Sequence, residues 1–233
     1  MKKLLEHCFL LIALSLVSGS VGGEALPGEP LNELRYFPEH SSSVVWVRGS
    51  STVNEWECVQ NQLGGLIEAN VSPSSLVEAL EQMLHDRSGT SASPPPIENL
   101  EAQIWIQVDA NGLICGSSRM KRDLLNAIRA KDHPTIDYQF QTLVALPEVK
   151  HTSEGSFLKL RSRGSLSLGG ETENVEHTTE VRLIEGSTIE LRGRIALNMS
   201  DFNIKPPSAL LGLIRAHDSF DVEYRVRIET ADL

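Results

Sequence analysis

The sequence is short of cysteine, of aromatic residues and of positive charge, and each shortage argues against a class of protein. Aromatic residues make up 5% of the 233 residues, charged residues 22% and apolar residues 40%. These proportions are ordinary for a globular domain and do not fit a disordered chain. The net charge is −10 and no stretch concentrates the basic residues. Binding to nucleic acid or to an anionic membrane surface is therefore not indicated.

The sequence also lacks the short motifs that mark common catalytic and metal sites. It has no Cys-x-x-Cys, no closely spaced histidine pair, no Gly-x-Ser-x-Gly and no glycine-rich phosphate loop ahead of a helix. The densest polar cluster consists of Glu171, Glu173, Glu176 and His177, and it fits a solvated hairpin turn better than a metal site. We therefore predict no catalytic residues, no metal and no cofactor. An enzyme would need perturbed titratable groups converging in a pocket.

No apolar run in the sequence is long enough to span a bilayer. The N-terminus has lysines at 2–3, an apolar stretch at 9–17 and small residues at 18–20. A basic start, a short apolar core and a small-residue cleavage zone are typical of a secretory signal. We predict a signal peptide over 1–23, no lipid anchor, no membrane-spanning segment and a periplasmic or secreted mature protein.

Two cysteines remain after the signal, Cys58 and Cys115. In an exported chain such a pair is compatible with one disulfide. In the chain-entropy model, a loop of that length would stabilise the fold by roughly 4 kcal/mol. Two buried free thiols are the alternative, and in either form the pair is predicted to be structural.

Most of the chain after Ser43 alternates apolar and polar residues, which is typical of β-strands with one buried face. The stretch "DSFDVEYRVRIET" near the C-terminus shows the alternation clearly. We count about eight such stretches, mostly at hairpin spacing, and no alternating strand–helix units. The pattern predicts an all-β fold, an antiparallel sheet closed into a barrel or a sandwich.

Two segments have helical spacing instead. "SPSSLVEALEQMLHD" has Ser72 as a candidate N-cap and Pro73 at the first helical position, and a Pro-rich loop follows it. We interpret 72–98 as a helix-plus-linker insertion. A second short helix is predicted in "RDLLNAIRAKD". The domain organisation is then an N-terminal arm at 24–42 and a barrel domain at 43–233.

The apolar face of the strands is the feature that could carry a function. An eight-stranded barrel is just wide enough to be filled by side chains or to hold one slender ligand. From composition alone the filled core is the default. The large side chains expected to point inward are Tyr138, Phe140, Leu158, Leu160, Ile189, Leu191, Ile195, Leu197, Phe220, Val222, Tyr224 and Val226.

Three stretches of the sequence resemble a known family. "VVWVRGSSTVNEWEC" is similar to its opening strand, turn and tryptophan, and "MKRDLLNAIRAKDHPTIDYQF" to its short helix, His-Pro-x-Ile and next strand. "RGRIALNMSDFNIKPPSALLGLIRAHDSFDVEYRVRI" is similar to its last two strands with their Asp-Phe-x-Ile corner and Pro-Pro segment. In order and spacing these stretches resemble the YceI-like family of exported bacterial proteins, over most of residues 43–229.

The resemblance implies an antiparallel eight-stranded, lipocalin-like β-barrel with one or two short helices. Its interior would hold a long-chain isoprenoid lipid, either a polyisoprenoid or an isoprenoid quinone. The ligand cavity is then favoured over the filled core, and Phe202 of the corner joins the expected lining. The hydroxyl of Tyr138 or Tyr224 could meet a polar head group. Relatives can be homodimers, for which Trp46 or Trp105 would be contacts; the alternative function is a filled barrel acting as an interaction module.

Two features depart from the family pattern. Many relatives carry His-Asp before the tryptophan, whereas this chain has Asn54-Glu55; the insertion at 72–98 and the acidic segment "GGETENVEH" are also atypical. The strand in the third stretch is expected to line the barrel as far as Asn203, where two prolines end its pairing. Residues 209–213 would then lie beside the mouth.

Overall fold

The computed structural model describes residues 32–34, 42–69, 73–86, 102–184, 188–209 and 212–229. The predicted signal peptide, most of the N-terminal arm and the Pro-rich linker lie outside these residues. Among the described residues, no helix is both long enough and apolar enough to cross a membrane.

The described part of the chain forms twelve strands and two α-helices. The strands are β1 (Asn32–Leu34), β2 (Val44–Ser51), β3 (Glu55–Gln60), β4 (Leu63–Ala69), β5 (Ala102–Asp109), β6 (Ile114–Cys115), β7 (Thr135–Thr152), β8 (Gly155–Leu168), β9 (Glu171–Ile184), β10 (Thr188–Asn198), β11 (Ser208–Ala209) and β12 (Ile214–Glu229). The helices are α1 (Pro73–Asp86) and α2 (Ser118–Ala127), and short 3-10 turns cover Ala110–Gly112 and Met199–Phe202.

All strand pairs of the sheet are antiparallel. The order is β1-β4-β5-β7-β8-β9-β10-β12-β2-β3-β6, with β11 pairing β12 at the side. The all-β antiparallel fold class is confirmed, but the described sheet has twelve strands where the sequence suggested about eight. Strands β1, β6 and β11 are only two or three residues long, too short to produce an alternating pattern. The apolar pairs at 158–160 and 166–168 belong to the single strand β8.

The two ends of the sheet must lie close together. Strands β3 and β4 stand near opposite ends of the pairing order, yet only residues 61–62 join them along the chain. Two residues span less than about 11 Å, so the sheet has to curl back on itself. The buried Gln60 lies at this junction and donates a hydrogen bond from Nε2 to the carbonyl of Asp109 at the end of β5, 3.1 Å away.

The alternation of β12 shows how the sequence builds the wall of this curved sheet. Phe220, Tyr224 and Val226 are buried on the inner face. Asp221 lies on the other face, where it accepts two hydrogen bonds from Arg194 at 3.0 and 2.7 Å. Asp221 and Arg194 therefore meet as a cross-strand ion pair on the outer face.

Helix α1 is present in the segment where the sequence predicted it. It packs against β8 and β9, and its side chains Leu80 and Met83 join the buried apolar cluster formed by the inward residues of the strands. The helix therefore contributes to the core.

Helix α2 is anchored at its start. Cys58 of β3 and Cys115 of β6 are joined by a disulfide, with their Cα atoms 4.1 Å apart. Two residues later, the Ser117 side chain caps the helix by accepting a hydrogen bond from the backbone N–H of Met120 at 3.2 Å. The covalent link thus holds the beginning of α2 against the sheet.

Strand β10 ends earlier than expected. It stops at Asn198, because Asp201 accepts hydrogen bonds from the backbone N–H and the side-chain amide of Asn198 at 3.3 and 3.2 Å and so folds the chain into a 3-10 turn. Asn203 then takes a left-handed conformation with φ of 51°. The turn, rather than the two prolines after it, ends the pairing.

Candidate ligand-binding cavity

An apolar cavity lies inside the curved sheet. Its volume is about 100 Å³, and its lining side chains come from β2, β3, β5, β7, β8, β10, β12 and α2. The strands from both ends of the pairing order therefore face one common space. Its wall is almost wholly apolar, with Tyr138 and Tyr224 bringing the hydroxyl groups.

Eight of the residues predicted to bind a ligand line this cavity. They are Tyr138, Phe140, Ile195, Leu197, Phe220, Val222, Tyr224 and Val226. All come from β7, β10 and β12, whose inner faces the alternation had identified. The structure brings these eight together around one space.

The other five predicted residues are buried but do not line the cavity. They are Leu158, Leu160, Ile189, Leu191 and Phe202. The first four lie toward the opposite end of their strands, where Leu191 pairs with both Val181 and Val226. Inward side chains there pack on one another, in the same cluster as Leu80 and Met83 of α1. That part of the interior is filled, so those four do not border the cavity, whereas Phe202 is fully buried in the 3-10 turn after β10 and does not border it either.

Several lining residues were not on the predicted list. Strands β2 and β5 contribute Val45, Val47, Ile106 and Val108, and β3 contributes Trp56. Their alternation is visible in the sequence, but the small valines did not stand out among larger inward residues. Pattern alone does not tell which inward residues border free space.

Helix α2 closes one end of the cavity. Leu124 and Ala127 of the helix, and Ile128 just after it, belong to the lining. Trp56, Leu124 and Met199 also border a surface cleft that lies between α2 and the start of β12. The cavity is therefore separated from solvent by only a few side chains at this place.

A cluster of polar side chains is buried in the inner wall. The Tyr224 hydroxyl lies 2.7 Å from Thr179 Oγ1 and 2.8 Å from His177 Nε2, and Thr179 Oγ1 lies 2.5 Å from Ser162 Oγ. Ring contacts place His177 next to both tyrosines, with centroids 5.8 Å from Tyr138 and 5.7 Å from Tyr224. We call these five residues, Tyr138, Ser162, His177, Thr179 and Tyr224, the polar cluster.

Two members of the polar cluster keep unused hydrogen-bonding groups. Tyr138 and His177 are 8% and 9% exposed, and neither the Tyr138 hydroxyl nor His177 Nδ1 has a hydrogen-bond partner among the described residues. Buried polar groups in proteins nearly always have a partner. These two atoms are therefore the chemically notable feature of the polar cluster.

Two glycines create the space that the tyrosines occupy. A Cβ at Gly164 of β8 would come within 2.7 Å of the Tyr138 hydroxyl, and one at Gly193 of β10 within 2.5 Å of the Tyr224 hydroxyl. Both glycines sit on the inner face of their strands. Any side chain there would displace a tyrosine from the cluster.

The polar cluster is uncharged at neutral pH. Burial lowers the pKa of His177 to about 4 and raises the pKa of Tyr138 and of Tyr224 above the ordinary tyrosine value. Desolvation is the first cause in all three, because a buried site disfavours the charged form. The cavity wall can therefore offer neutral hydrogen bonds.

His177 is the residue whose location the sequence interpretation missed. Its neighbour Glu176 is on the outer surface, where Arg163 donates a hydrogen bond to it at 2.8 Å. His177 itself points inward, on the same parity as Val175 and Val181. The glutamates face solvent as expected, but they lie in strand β9 and not in a turn, and the interpretation is wrong for the buried histidine. The parity of β9 was the available signal. Among the described residues, no group of three or more His, Cys, Asp or Glu could hold a metal ion.

The geometry defines a class of protein, an antiparallel barrel with an internal apolar cavity closed by a helix. No protein-family model and no curated protein sequence matches the chain. Several solved structures, in contrast, are similar to the chain. BcnA of Burkholderia cenocepacia is 13% identical, with a TM-score of 0.53 over 79% of this chain and 95% of that chain.

A polyisoprenoid-binding domain of Saccharophagus degradans, implicated in plant cell wall breakdown, is 9% identical. It has a TM-score of 0.55 over 84% of this chain and 98% of that domain. The YceI protein of Campylobacter jejuni is 12% identical, with a TM-score of 0.44 over 56% of this chain and 73% of that chain. The two structures with TM-scores above 0.5, BcnA and the polyisoprenoid-binding domain, show that the chain shares their fold, as the resemblance of the sequence implied.

Proposed function

We propose that this protein binds a long isoprenoid chain, of a polyisoprenoid or an isoprenoid quinone, in the barrel interior and carries or sequesters it outside the cytoplasm. The observation that carries the proposal is the apolar cavity under α2. The fold is also that of a domain described as polyisoprenoid-binding. Each buried CH2-sized group contributes about 0.8 kcal/mol, so a few isoprene units suffice for firm binding without a specific polar contact.

The size of the cavity determines how such a chain would enter. About 100 Å³ accommodates the end of an isoprenoid, whereas the remainder needs further room. The surface cleft beside α2 is the nearest such room, because Trp56, Leu124 and Met199 border both spaces. We propose that the chain enters here and that α2 shifts outward to admit it.

A filling substitution tests the proposed function. Val222 lines the cavity, and Val222→Trp should occupy the space and reduce binding of an isoprenoid alcohol such as farnesol at least tenfold. Val144→Trp is the matched control, because Val144 is exposed on β7. Binding is measured by calorimetry on folded protein, as judged by circular dichroism. Unchanged affinity in folded Val222→Trp would contradict binding in this cavity.

The lipid itself can be sought in the protein as the cell makes it. Native mass spectrometry of protein purified from its own compartment should show an adduct in the isoprenoid mass range, identified after extraction. Cleavage near residue 23 in the same preparation would support export, which the disulfide also favours. A bare polypeptide that refuses added polyprenols and quinones would instead support the filled-barrel interaction module.

That second candidate has one specific observation behind it. The part of the interior around Leu158 and Leu191 is packed with side chains, as in a solid core.

The homodimer expected from relatives would use the outer face, where Trp105 is 40% exposed on β5 and Trp46 is half-buried. Light scattering on wild type and Trp105→Gln measures whether a dimer forms and whether Trp105 contributes to it.

A further inference from the structure

The polar cluster is more than an apolar container requires. A cavity that only dissolved a hydrocarbon chain would be lined best by apolar groups, since an unpaired polar group in a dry wall is costly. This wall nevertheless contains Tyr138, and His177 lies beside it. Both have an unused hydrogen-bonding atom. An outside partner for those atoms would remove the cost.

The arrangement of the cluster indicates which atoms are left for such a partner. The hydrogen bonds from Ser162 through Thr179 to Tyr224 and His177 Nε2 use the polar groups of those residues internally. What remains is the O–H of Tyr138, a donor, and Nδ1 of His177, whose role depends on the tautomer that the Nε2 bonds select. A ligand oxygen able to accept from Tyr138 would complete the set.

The charge of the wall indicates what kind of end group the site would take. No Lys, Arg, Asp or Glu lines the cavity. A diphosphate or phosphate buried here would have no counter-ion and would lose its hydration, whereas an alcohol or a carbonyl needs only hydrogen bonds. The low pKa of His177 is consistent with this, because the imidazole offers no positive charge at neutral pH.

We infer that Tyr138 and His177 form a hydrogen-bonding site inside the barrel for an uncharged, oxygen-bearing end group of the isoprenoid, and that this site discriminates against phosphorylated isoprenoids. The inference rests on the proposed function and adds the ligand class to it. Gly164 and Gly193 are part of the site, because they leave room for the two tyrosines of the cluster.

Three ligands with the same carbon chain separate the alternatives: farnesol, farnesyl diphosphate and the hydrocarbon farnesene. For the mature wild-type protein at pH 7.5, calorimetry should give an affinity for farnesol about tenfold or more above that for either other ligand. In Tyr138→Phe, which keeps the ring and loses the hydroxyl, affinity for farnesol should fall about fivefold to tenfold and affinity for farnesene should not fall.

The outcomes distinguish this inference from the proposed function. If farnesol and farnesene bind equally well and Tyr138→Phe changes neither, the cavity binds hydrocarbon and the end-group site is refuted. Farnesyl diphosphate binding as tightly as farnesol would refute the preference for an uncharged end group. If none of the three binds, the proposed function fails and the end-group site fails with it. His177→Phe should repeat the selective loss for farnesol, with His133→Phe, an exposed histidine, as control.

Discussion

At the scale of single residues, His177 couples the interior of the barrel to pH. Its pKa is about 4 in the folded protein, against 6.5 for an ordinary histidine. Between these values the unfolded chain takes up a proton that the folded chain does not. The contribution of His177 to the stability of the fold is therefore fully present above pH 6.5 and is lost as the pH falls toward 4.

This decrease can be isolated by substitution. Over the interval from pH 7 to pH 4, the His177 contribution should lower the free energy of unfolding by about 3 kcal/mol. His177→Gln removes that contribution, so urea unfolding of the variant should show a smaller loss over the interval than the wild type. The exposed His133→Gln should follow the wild type. Equal losses in all three proteins would mean that His177 titrates normally.

Gly193 determines the position of Tyr224 because it has no side chain, which leaves room for the tyrosine ring and hydroxyl. Gly193→Ala would place a methyl group 2.5 Å from the tyrosine hydroxyl and push it away from Thr179 and His177. We expect a loss of about 1–3 kcal/mol in urea unfolding, since the packed wall cannot absorb the extra volume. Gly64→Ala, on β4, meets only ordinary contacts from 3.7 Å outward and should be close to neutral. A neutral Gly193→Ala would show that Tyr224 relocates freely.

At the scale of elements, α2 is the helix that closes one end of the cavity. The helix covers one end of the cavity with Leu124 and Ala127, and the disulfide between β3 and β6 holds the residues just before it. Any ligand that enters from the cleft has to move α2. Under the proposed function, α2 is therefore the element that has to shift when a ligand enters.

Removing the disulfide should weaken the whole fold. Cys58 and Cys115 are 57 residues apart, and the chain-entropy model gives a stabilisation of about 4 kcal/mol for such a loop. The double substitution of both cysteines by serine should lower the free energy of unfolding by about that amount. Guanidinium unfolding of the double variant and the oxidised wild type measures it. Equal midpoints would remove the disulfide from the account of stability.

At the scale of the whole molecule, the interior is divided. One part is a packed core around Leu158, Leu160 and Leu191, with α1 added to it; the other is a cavity under α2. The two interpretations of the sequence, a filled barrel and a container, each describe one part. The polar cluster includes Tyr138 and Tyr224 of the cavity wall. Under the inference drawn above, the polar end of a bound chain lies beside this cluster.

The sequence by itself determined the elements and their faces. Alternation along single strands such as β10 and β12 identified the inner residues, and helical spacing located α1 and α2, because both signals depend on neighbours a few positions apart in one element. The antiparallel all-β class follows from the same local patterns. The chemical class of the interior, apolar on one face of every long strand, was therefore predictable.

Only the tertiary structure decided which inner residues border a cavity. Leu197 and Leu191 lie on the same face of β10 with the same pattern, yet one lines free space and the other is packed in the core. The difference depends on which side chains arrive from strands far away in sequence and on the volumes they fill. The same reason applies to His177, whose partners come from β12 and β7, and to Cys58 and Cys115. These are meetings of distant residues, which local pattern does not encode.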